Sequence, residues 1–328
     1  MIRKFFAALG CAVLGAAVML LALPLLPGQL LPHGRAETLA ATEAETAPAE
    51  PEPFDEAVTL RVLVDGAVRE QTLHDYLVCV LLAEVPSGFA AEALKAQACA
   101  ARTFALRQAG AGKHAEADVC ASAACCQGWY APEQWPEHAA AEAAVTETDG
   151  LAVVYDGQLI DATYFSCSGG RTEAAVAVWG GEIPYLQSVP SPGEEDAPRE
   201  TETLTFTAEE FRDHITPARP DADLSGTPET WFGIVRYTEG GGIGTLELGG
   251  ASFTGTELRR LLGLRSTDIE FSPQEDGVTV TTHGFGHRVG LSQYGAEAMA
   301  QAGRRFDEIL LHYYQGTEIR RLTLDGEK

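Results

Sequence analysis

The sequence predicts an α+β protein in which mixed helices and antiparallel hairpins form a core, with a smaller α+β subdomain inserted and a transmembrane helix at the N-terminus. Three observations carry this prediction. Alternating apolar residues flank Asp-Gly pairs, which is typical of β-hairpins, and other apolar residues recur at helical spacing. The composition also shifts at a Pro-, Gly- and Glu-rich segment, Ser191 to Glu200, which is interpreted as a linker. With 328 residues there is room for one large domain, or for one domain and a smaller one.

The charge balance excludes one class of partner. Lys and Arg number 23 against 47 Asp and Glu, which gives a net charge of −24 at pH 7. A nucleic acid would be repelled by such a surface. Other anionic polymers would be repelled at long range too, so any anionic substrate must be gripped locally.

The N-terminus has the pattern of a membrane anchor. Arg3 and Lys4 precede an uncharged apolar run, Phe5 to Leu26, which as a helix would span about 33 Å, against a hydrocarbon core of about 30 Å. The positive flank predicts a cytoplasmic N-terminus and an exported remainder, hence a single-pass cell-membrane protein. A signal peptide cleaved near His33 to Ala36 is the alternative, but the run is longer than a usual signal core. We therefore expect an anchor over residues 1–35.

Two further boundaries follow from composition. Residues 36–56 are acidic, low in complexity and almost free of large apolar side chains, which predicts a disordered spacer. The folded domain is expected over 57–328, with an inserted subdomain at 199–272.

The first folded elements are a hairpin and a helical pair. Val58 to Leu73 reads as a hairpin with its turn at Asp65-Gly66. The first helix begins near His74 and ends at Val85-Pro86, because a residue before proline is pushed out of the α region. The second helix, Ala91 to Gln108, is rich in alanine, so a neighbouring backbone can approach it closely.

The remaining elements are read from the same signals. A cysteine-bearing loop precedes a helix, Glu137 to Thr148, and a second hairpin, Leu151 to Phe165, turns at Asp156-Gly157. The inserted subdomain contains two similar strand-helix units, in which Thr207/Glu210 and Thr254/Glu257 fit capping boxes. A strand, a glycine-rich loop, two helices and a short strand then complete the chain.

Glu84 stands at the joint of the helical pair. It falls in the last turn of the first helix, where the helix dipole disfavours a negative charge. If the surroundings are also partly dry, both effects raise its pKa and suit the carboxyl to donating a proton. From spacing alone, however, a glutamate at a helix end is more often solvent-exposed.

A second candidate site combines one imidazole with three thiols, from His114, Cys120, Cys125 and Cys126. Such a set can supply a closed tetrahedral zinc site. Adjacent cysteines seldom both bind one metal, and an exported domain can meet an oxidising environment. On spacing alone, a disulfide from Cys120 to Cys125 or Cys126 is therefore as consistent as zinc. The other cysteines of the folded part are expected to be buried.

Several familiar motifs are absent from the sequence. The glycines of Gly284 to Gly290 are spaced GxGxxxG, one residue too long for a dinucleotide fingerprint. His283 and His287 are four residues apart, but in a glycine-rich loop and not on a helix. No Ser/His/Asp triad can be recognised.

Three segments in order resemble the SpoIID family, the stage II sporulation protein D and LytB group of peptidoglycan-cleaving proteins. They are EVPSGFAAEALKAQACAARTFAL, then YFSCSGGRTEAAVAVWGGEIPYLQSVPSP, then HGFGHRVGLSQYGAEAMAQAG with LHYYQGTEI. The similarity extends over roughly 58–324. The anchor and acidic spacer agree with sporulation members, which are held in the mother-cell membrane facing the engulfed forespore.

The resemblance implies a lytic transglycosylase that cleaves glycan strands already stripped of their stem peptides. In that family the glutamate of the E-V/M-P segment is the catalytic acid, which falls on Glu84. Zinc near the cleft of some clostridial members favours zinc over a disulfide here, with Cys125 in place of what is often histidine. A SpoIIP-like amidase and other engulfment membrane proteins are the implied partners.

The implied chemistry explains how one carboxyl suffices. Glycosidases normally need two, but N-acetylmuramic acid supplies its own nucleophile, the C6 hydroxyl. Glu84 would protonate the leaving oxygen and then take the C6 proton, which gives a 1,6-anhydro product. A zinc with four protein ligands has no open position and would be structural. The candidates to hold the sugar are Arg102, Ser166, Ser168, His287, Ser292, Gln293 and Tyr294.

One residue departs from the family pattern, and two other functions are alternatives to the transglycosylase. The last motif usually reads H-G-x-G-H-G-V-G, and Arg288 replaces its third glycine. This cation could narrow the cleft or grip an anionic sugar substituent, and it puts a positive φ there in doubt. The alternative functions are a non-catalytic peptidoglycan binder that enhances an amidase, as the name LytB suggests, and zinc-dependent hydrolysis.

Overall fold

The computed structural model describes residues 53–131, 134, 138–195 and 197–324. Helices mix with short strands in small, mostly antiparallel sheets, so the α+β class is confirmed. The predicted anchor and nearly all of the predicted spacer lie outside the described residues. Within the described part, no helix has the length and apolar character needed to cross a bilayer.

Nine helices and fourteen strands lie within the described residues. The helices are α1 (Phe54–Ala57), α2 (Leu73–Glu84), α3 (Ala91–Ala111), α4 (Ala139–Glu147), α5 (Ala175–Trp179), α6 (Ala208–Ile215), α7 (Gly255–Leu262), α8 (Gln293–Gln301) and α9 (Phe306–Tyr313). The strands are β1 (Thr59–Val64), β2 (Ala67–Thr72), β3 (Val119–Cys120), β4 (Leu151–Tyr155), β5 (Gln158–Leu159), β6 (Tyr164–Phe165), β7 (Thr201–Thr207), β8 (Phe232–Tyr237), β9 (Ile243–Leu248), β10 (Ala251–Phe253), β11 (Asp268–Pro273), β12 (Gly277–His283), β13 (Leu291–Ser292) and β14 (Glu318–Arg321).

The first core contains the predicted hairpin and the helix that follows it. Asp65 and Gly66 turn the β1–β2 hairpin with φ of +50° and +81°, as a type I′ turn requires. The Thr72 hydroxyl then caps α2 by accepting a hydrogen bond from the Asp75 N–H at 3.1 Å. Helix α2 buries eight side chains and ends at Glu84, where the sequence predicted its end. Each fully buried leucine contributes roughly 1.5–3 kcal/mol.

Helix α3 lies between the first and second cores. Alanine side chains on one side, among them Ala98 and Ala101, belong to the first core, and Ala96 and Ala100 belong to the second. These small side chains let both cores approach the helix backbone. The helix continues three residues past its predicted end and stops where Gly112 adopts φ +64°.

The second core gathers elements from both ends of the chain. Strand β4 pairs with β5 on one side and with the last strand, β14, on the other. The predicted second hairpin is shorter than expected, because its return strand stops at Leu159. Tyr164 and Phe165 instead pair in parallel with Leu291 and Ser292 as β6 and β13. This pairing brings the second and third family segments side by side.

The third core belongs to the segment predicted as an inserted subdomain. Two three-stranded sheets, β11-β12-β7 and β10-β9-β8, pack with α6 and α7 around Phe211 and Phe253. Strand β12 pairs with β11 on one side and with β7 on the other. Val280, a residue of β12, also belongs to this core. The capping box at Thr207 is complete, whereas Thr254 accepts the N–H bond of its helix without the reciprocal bond.

The folded part begins earlier than the predicted residue 57. Helix α1 docks on the domain, because the backbone N–H groups of Phe54 and Asp55 donate to the Asp149 carboxylate. The Asp55 carboxylate is buried and forms a 2.5 Å ion pair with Arg102, whose side chain is fully buried. Arg102 was predicted to hold the sugar, and that prediction is wrong. Its guanidinium instead ties α3 to the start of the domain.

Candidate active site

A cleft of about 580 Å³ opens at the C-terminal end of α2. This volume lies in the range of about 300–1,000 Å³ usual for small-ligand sites. Segments far apart in the sequence meet there, namely the end of α2, the cysteine-bearing loop, β6 and the glycine-rich loop at 285–287. The described lining residues are Ala83, Glu84, Phe104, Ala123, Cys126, Thr163, Tyr164, Phe165, Ser166, Arg199, Phe285, Gly286, His287 and Gln293.

Glu84 is the carboxyl group of this cleft. Its Oε1 accepts a hydrogen bond from the Gly128 N–H at 2.5 Å. Burial raises the pKa of Glu84 above the usual carboxyl range, and the Gly128 N–H and the nearby side chains of Gln293 and Tyr164 oppose that rise. The Gln293 Nε2 is buried without a well-formed hydrogen bond, so its approach to Glu84 is a weak contact. Glu84 is thus a partly dry carboxyl that can hold a proton.

A chain of hydrogen-bonded polar side chains, buried except for the half-buried Tyr164, leads to Glu84 from the first core. Tyr76 donates from its hydroxyl to Gln127 Oε1 at 3.0 Å, and Gln127 Nε2 donates to the Tyr164 hydroxyl at 2.8 Å. Because Tyr164 accepts this bond, its own proton can be directed toward Glu84. Sequence reasoning missed Gln127, Gly128 and Tyr164. Tyr164 stands two residues before Ser166, which was singled out, but no spacing links it to Glu84.

The predicted metal cluster is assembled in the structure. The ligand atoms of His114, Cys120, Cys125 and Cys126 all lie within 4.8 Å of one another. His114 Nε2 is 3.3 Å from the Cys126 sulfur and 3.8 Å from the Cys125 sulfur. Zinc bonds of about 2.3 Å to sulfur and about 2.0–2.1 Å to nitrogen set ligand separations of roughly 3.5–3.8 Å, so these atoms fit a tetrahedral ion.

The turn at residues 122–126 explains how adjacent cysteines reach one point. The N–H groups of Cys125 and Cys126 both donate to the Ser122 carbonyl, at 2.9 and 2.8 Å. This tight turn gathers both thiols near His114, and no disulfide joins them. Gly128, which holds Glu84, follows two residues after Cys126. The cluster therefore lies next to the candidate active site in the chain as well as in space.

Four of the residues predicted to hold the sugar lie at or next to the cleft. Ser166, His287 and Gln293 line it, while Tyr294 packs edge to face on Phe89 with ring centroids 5.1 Å apart. Burial lowers the pKa of His287 to about 4, and its Nδ1 accepts the Val289 N–H at 3.1 Å. The imidazole is therefore neutral near pH 7 and contributes no positive charge to the cleft.

Ser168 and Ser292 are placed elsewhere, which corrects that prediction. Both side chains are fully buried, and both hydroxyls donate to the carboxylate of Glu194, which is itself 2 % exposed. The Ser292 hydroxyl also caps α8 by accepting from the Gly295 N–H. Neither serine can contact a sugar in this arrangement, because the Glu194 carboxylate occupies their polar atoms.

Arg288 neither narrows the cleft nor reaches a sugar. Its side chain is fully buried, and its backbone keeps the positive φ expected of the glycine it replaces, at +64°. Its guanidinium forms ion pairs with Glu173 at 3.5 Å and Asp268 at 3.2 Å. It also donates to backbone carbonyls on both sides of the junction between the second and third cores, those of Ser168, Arg171 and Gly240. Arg288 therefore joins the two cores.

Comparison with known proteins supports the resemblance seen in the sequence. The family model described as SpoIID, stage II sporulation protein, matches residues 65–155. Stage II sporulation protein D of Bacillus subtilis (strain 168) is 37 % identical over 265 residues, which cover 77 % of this chain and 76 % of that protein. The protein of the same name from Bacillus amyloliquefaciens is 35 % identical over 294 residues, covering 85 % and 84 %. A protein named amidase enhancer from Bacillus subtilis (strain 168) is 28 % identical over 287 residues, covering 72 % and 39 %.

Proposed function

Because the chain belongs to the SpoIID family of stage II sporulation proteins, we propose that it is a peptidoglycan lytic transglycosylase that acts in sporulation. It cleaves the bond between N-acetylmuramic acid and N-acetylglucosamine in glycan strands without stem peptides. The observation that carries this proposal is Glu84, a partly dry carboxyl at the cleft whose pKa is raised by burial.

The number of carboxyl groups in the cleft favours lytic transglycosylation over hydrolysis, which uses two of them. Among the described lining residues, Glu84 is the one carboxylic acid. Retaining and inverting glycosidases both need a second carboxyl, at about 5–5.5 Å or about 6.5–9.5 Å from the first. A reaction in which the sugar's own C6 hydroxyl attacks needs one group that acts first as acid and then as base.

Glu84 performs both proton transfers in the proposed reaction. The Gly128 N–H occupies Oε1, so the proton is carried on Oε2. Oε2 donates it to the glycosidic oxygen as the bond to C1 breaks, and the N-acetylglucosamine end leaves with a free hydroxyl. The carboxylate then takes the proton of the C6 hydroxyl as its oxygen bonds to C1. Glu84 is again protonated when the 1,6-anhydro ring has closed.

The four-residue cluster has a structural part in this proposal. His114, Cys120, Cys125 and Cys126 would hold zinc with four protein ligands, which leaves no position for water or substrate. A bound ion supplies folding energy to the loop. That loop carries Gly128, which donates a hydrogen bond to Glu84, and Gln127, which donates one to Tyr164 beside it. The protein's own residues perform the proton transfers.

The test is product analysis of amidase-treated peptidoglycan by mass spectrometry. The wild-type protein is expected to release fragments with 1,6-anhydro-N-acetylmuramic acid ends. Glu84→Gln keeps the size and the acceptor for Gly128 but cannot donate the proton, so the product should disappear without loss of folding. Glu275→Gln, at an exposed position in the third-core segment, is the matched control and should retain activity. A fully active Glu84→Gln protein would remove Glu84 from the mechanism.

A second function is favoured by one comparison, the relative named amidase enhancer. On this alternative the protein binds peptidoglycan without cleaving it and increases the activity of a cell-wall amidase. It predicts strand binding, no anhydro product, and equal stimulation of the amidase by wild-type and Glu84→Gln protein. The same variants therefore separate the two functions.

The proposed location and partners follow from the same reaction. Residues 1–35 would anchor the protein in the cell membrane with the N-terminus in the cytoplasm, and the cleft would face the peptidoglycan between mother cell and forespore. A SpoIIP-like amidase, among the other engulfment membrane proteins, would supply strands without stem peptides. Membrane fractionation, with protease digestion of intact cells, tests the orientation.

A further inference from the structure

Arg199 is a cation on the wall of the Glu84 cleft that sequence analysis did not single out. It lies in Ser191 to Glu200, the segment first interpreted only as a linker. In the structure the described residues of this segment, 191–195 and 197–200, form a strap that is hydrogen-bonded to neighbouring loops. The Ser191 N–H donates to the Gly170 carbonyl at 2.8 Å, and the buried Glu194 carboxylate binds the loop at 168–169. The strap ends by presenting Arg199, with an exposed side chain, to the cleft.

The backbone of Arg199 is held in a left-handed conformation. Its φ is +70°, a region that side chains with a Cβ rarely adopt. The neighbouring peptide groups hold it there, because the Glu200 N–H donates to the Ala197 carbonyl at 3.0 Å and the Gly284 N–H donates to the Glu200 carbonyl at 2.7 Å. Glycine would satisfy this backbone without strain. A guanidinium kept at a strained position beside a cleft points to a functional role.

The Arg199 guanidinium has no acidic partner in the described part of the chain. Most of the other described arginines lie in ion pairs, as in Arg171–Glu239 and Arg265–Glu202. Arg199 forms no ion pair with any described carboxylate, and it is the one Lys or Arg among the described lining residues. Within a chain of net charge −24, a cation at the cleft that pairs with no described carboxylate is available for an anionic ligand.

We propose that Arg199 binds the carboxylate of the lactyl group of N-acetylmuramic acid and thereby selects strands that have lost their stem peptides. This carboxylate is free only after the peptide has been removed, because the peptide is otherwise attached to it as an uncharged amide. The planar guanidinium can pair with a carboxylate through two parallel hydrogen bonds. The inference rests on the proposed function, since it assigns a specificity residue to the same cleft.

The other cationic side chains near the site do not fill this role. Arg102 and Arg288 are fully buried in their own ion pairs, and His287 is neutral near pH 7. Arg265 stacks over Phe285 but is paired with Glu202. Arg259, whose charge acts on His287, donates to the Leu264 carbonyl and is not among the described lining residues. The acidic surface repels anionic strands at long range, so recognition of a carboxylate needs a local positive charge.

The test measures binding, so it does not depend on bond cleavage. Glu84→Gln protein is titrated with short glycan strands whose lactyl carboxylates are either free or converted to methylamides. The free carboxylate is expected to bind about tenfold more tightly at low salt, the lower end for a hydrogen-bonded charge pair. The preference should shrink as salt screens the exposed pair.

Three further variants, each made with Glu84→Gln, separate recognition from misfolding. Arg199→Gln should abolish the preference for the free carboxylate, and Arg199→Lys should retain part of it. Arg199→Gly relieves the left-handed strain, so it should lose the preference without a lower melting temperature. Arg260→Gln, which removes an exposed charge from α7, is the matched control and should keep the preference.

Two results would overturn the assignment. One is an unchanged preference in Arg199→Gln, and the other is equal weakening of both strands by that substitution. The outcome is separable from that of the proposed function. Absence of anhydro product from the wild-type protein would refute the transglycosylase, whereas a carboxylate preference that depends on Arg199 would still stand for a strand-binding protein.

Discussion

Glu194→Ala is expected to destabilise the protein strongly, although no part of the proposed chemistry involves this side chain. The Glu194 carboxylate is 2 % exposed and accepts five hydrogen bonds. Two come from the backbone N–H groups of Ser168, at 2.6 Å, and Gly169, at 3.1 Å. The other three come from the hydroxyls of Ser168, Ser191 and Ser292. No described Lys or Arg pairs with the carboxylate, so among the described residues these donors compensate the buried charge.

The loss of stability in Glu194→Ala depends on which of these hydrogen-bond donors can find another acceptor. Hydroxyls can rotate, and the Ser191 hydroxyl already lies 2.6 Å from that of Tyr313. The two backbone N–H groups cannot rotate, and leaving a buried donor unpaired costs about 1–3 kcal/mol. Glu194→Ala should therefore cost about 2–6 kcal/mol. Glu194→Gln keeps one acceptor oxygen for the N–H groups and can donate from its NH2 to serine hydroxyls, so its effect should be smaller.

The measurement is urea and thermal unfolding followed by circular dichroism at pH 7. At roughly 2–4 °C per kcal/mol for a domain of this size, the melting temperature should fall by at least about 4 °C. Glu195→Ala is the matched control, because that side chain is exposed and surface substitutions usually stay within about 0.5 kcal/mol. If Glu194→Ala unfolds within about 1 kcal/mol of Glu195→Ala, the strap is not anchored as the structure indicates.

Three further outcomes are expected. Gly128→Ala places a Cβ 3.0 Å from Oε1 of Glu84, so kcat should fall at least about tenfold, a change worth about 1.4 kcal/mol in the activation barrier. Gly110→Ala is the control: a Cβ at that position has nothing within 4 Å, so kcat should be unchanged. Metal removal by chelator, or Cys125→Ser, should lower melting temperature and activity together, with metal content followed by elemental analysis; loss of activity without loss of stability would instead indicate a catalytic metal. Because burial raises the pKa of Glu84, kcat should fall as pH rises through that raised value. The folded state then binds this proton more tightly than the unfolded chain does, so Glu84→Gln should gain stability relative to wild type between the ordinary carboxyl pKa and the raised one; a constant difference over this range would contradict the burial of the carboxyl.

Features that depend on local chemistry were predicted well from the sequence. The Asp65-Gly66 turn, the end of the first helix at Val85-Pro86 and the complete capping box at Thr207 were all confirmed. Each depends on a few consecutive residues whose backbone preferences favour one conformation. The second hairpin was predicted too long. Tyr164 and Phe165 do not continue its return strand but pair with β13, more than a hundred residues away in the chain.

Burial and pairing of polar side chains were predicted poorly. Arg102, Ser168 and Ser292 were interpreted as sugar-binding because they are polar and lie in family segments. In the structure their polar atoms are occupied by Asp55 and Glu194, which come from segments interpreted as spacer and linker. A sequence gives the chemistry of a side chain but not its partner, and the partner decides whether a polar group is available to a ligand.

By itself, then, the sequence determined the α+β class, the turns and helix ends, the family segments and the candidates Glu84 and His114 with its cysteines. Only the tertiary structure decided what surrounds Glu84. The Gly128 N–H, the Tyr76–Gln127–Tyr164 chain and the exposed guanidinium of Arg199 reach the cleft from separate segments. The physical reason is that the pKa of a carboxyl depends on desolvation and on donors brought by packing. Neither quantity is encoded by the residues adjacent to Glu84 in the chain.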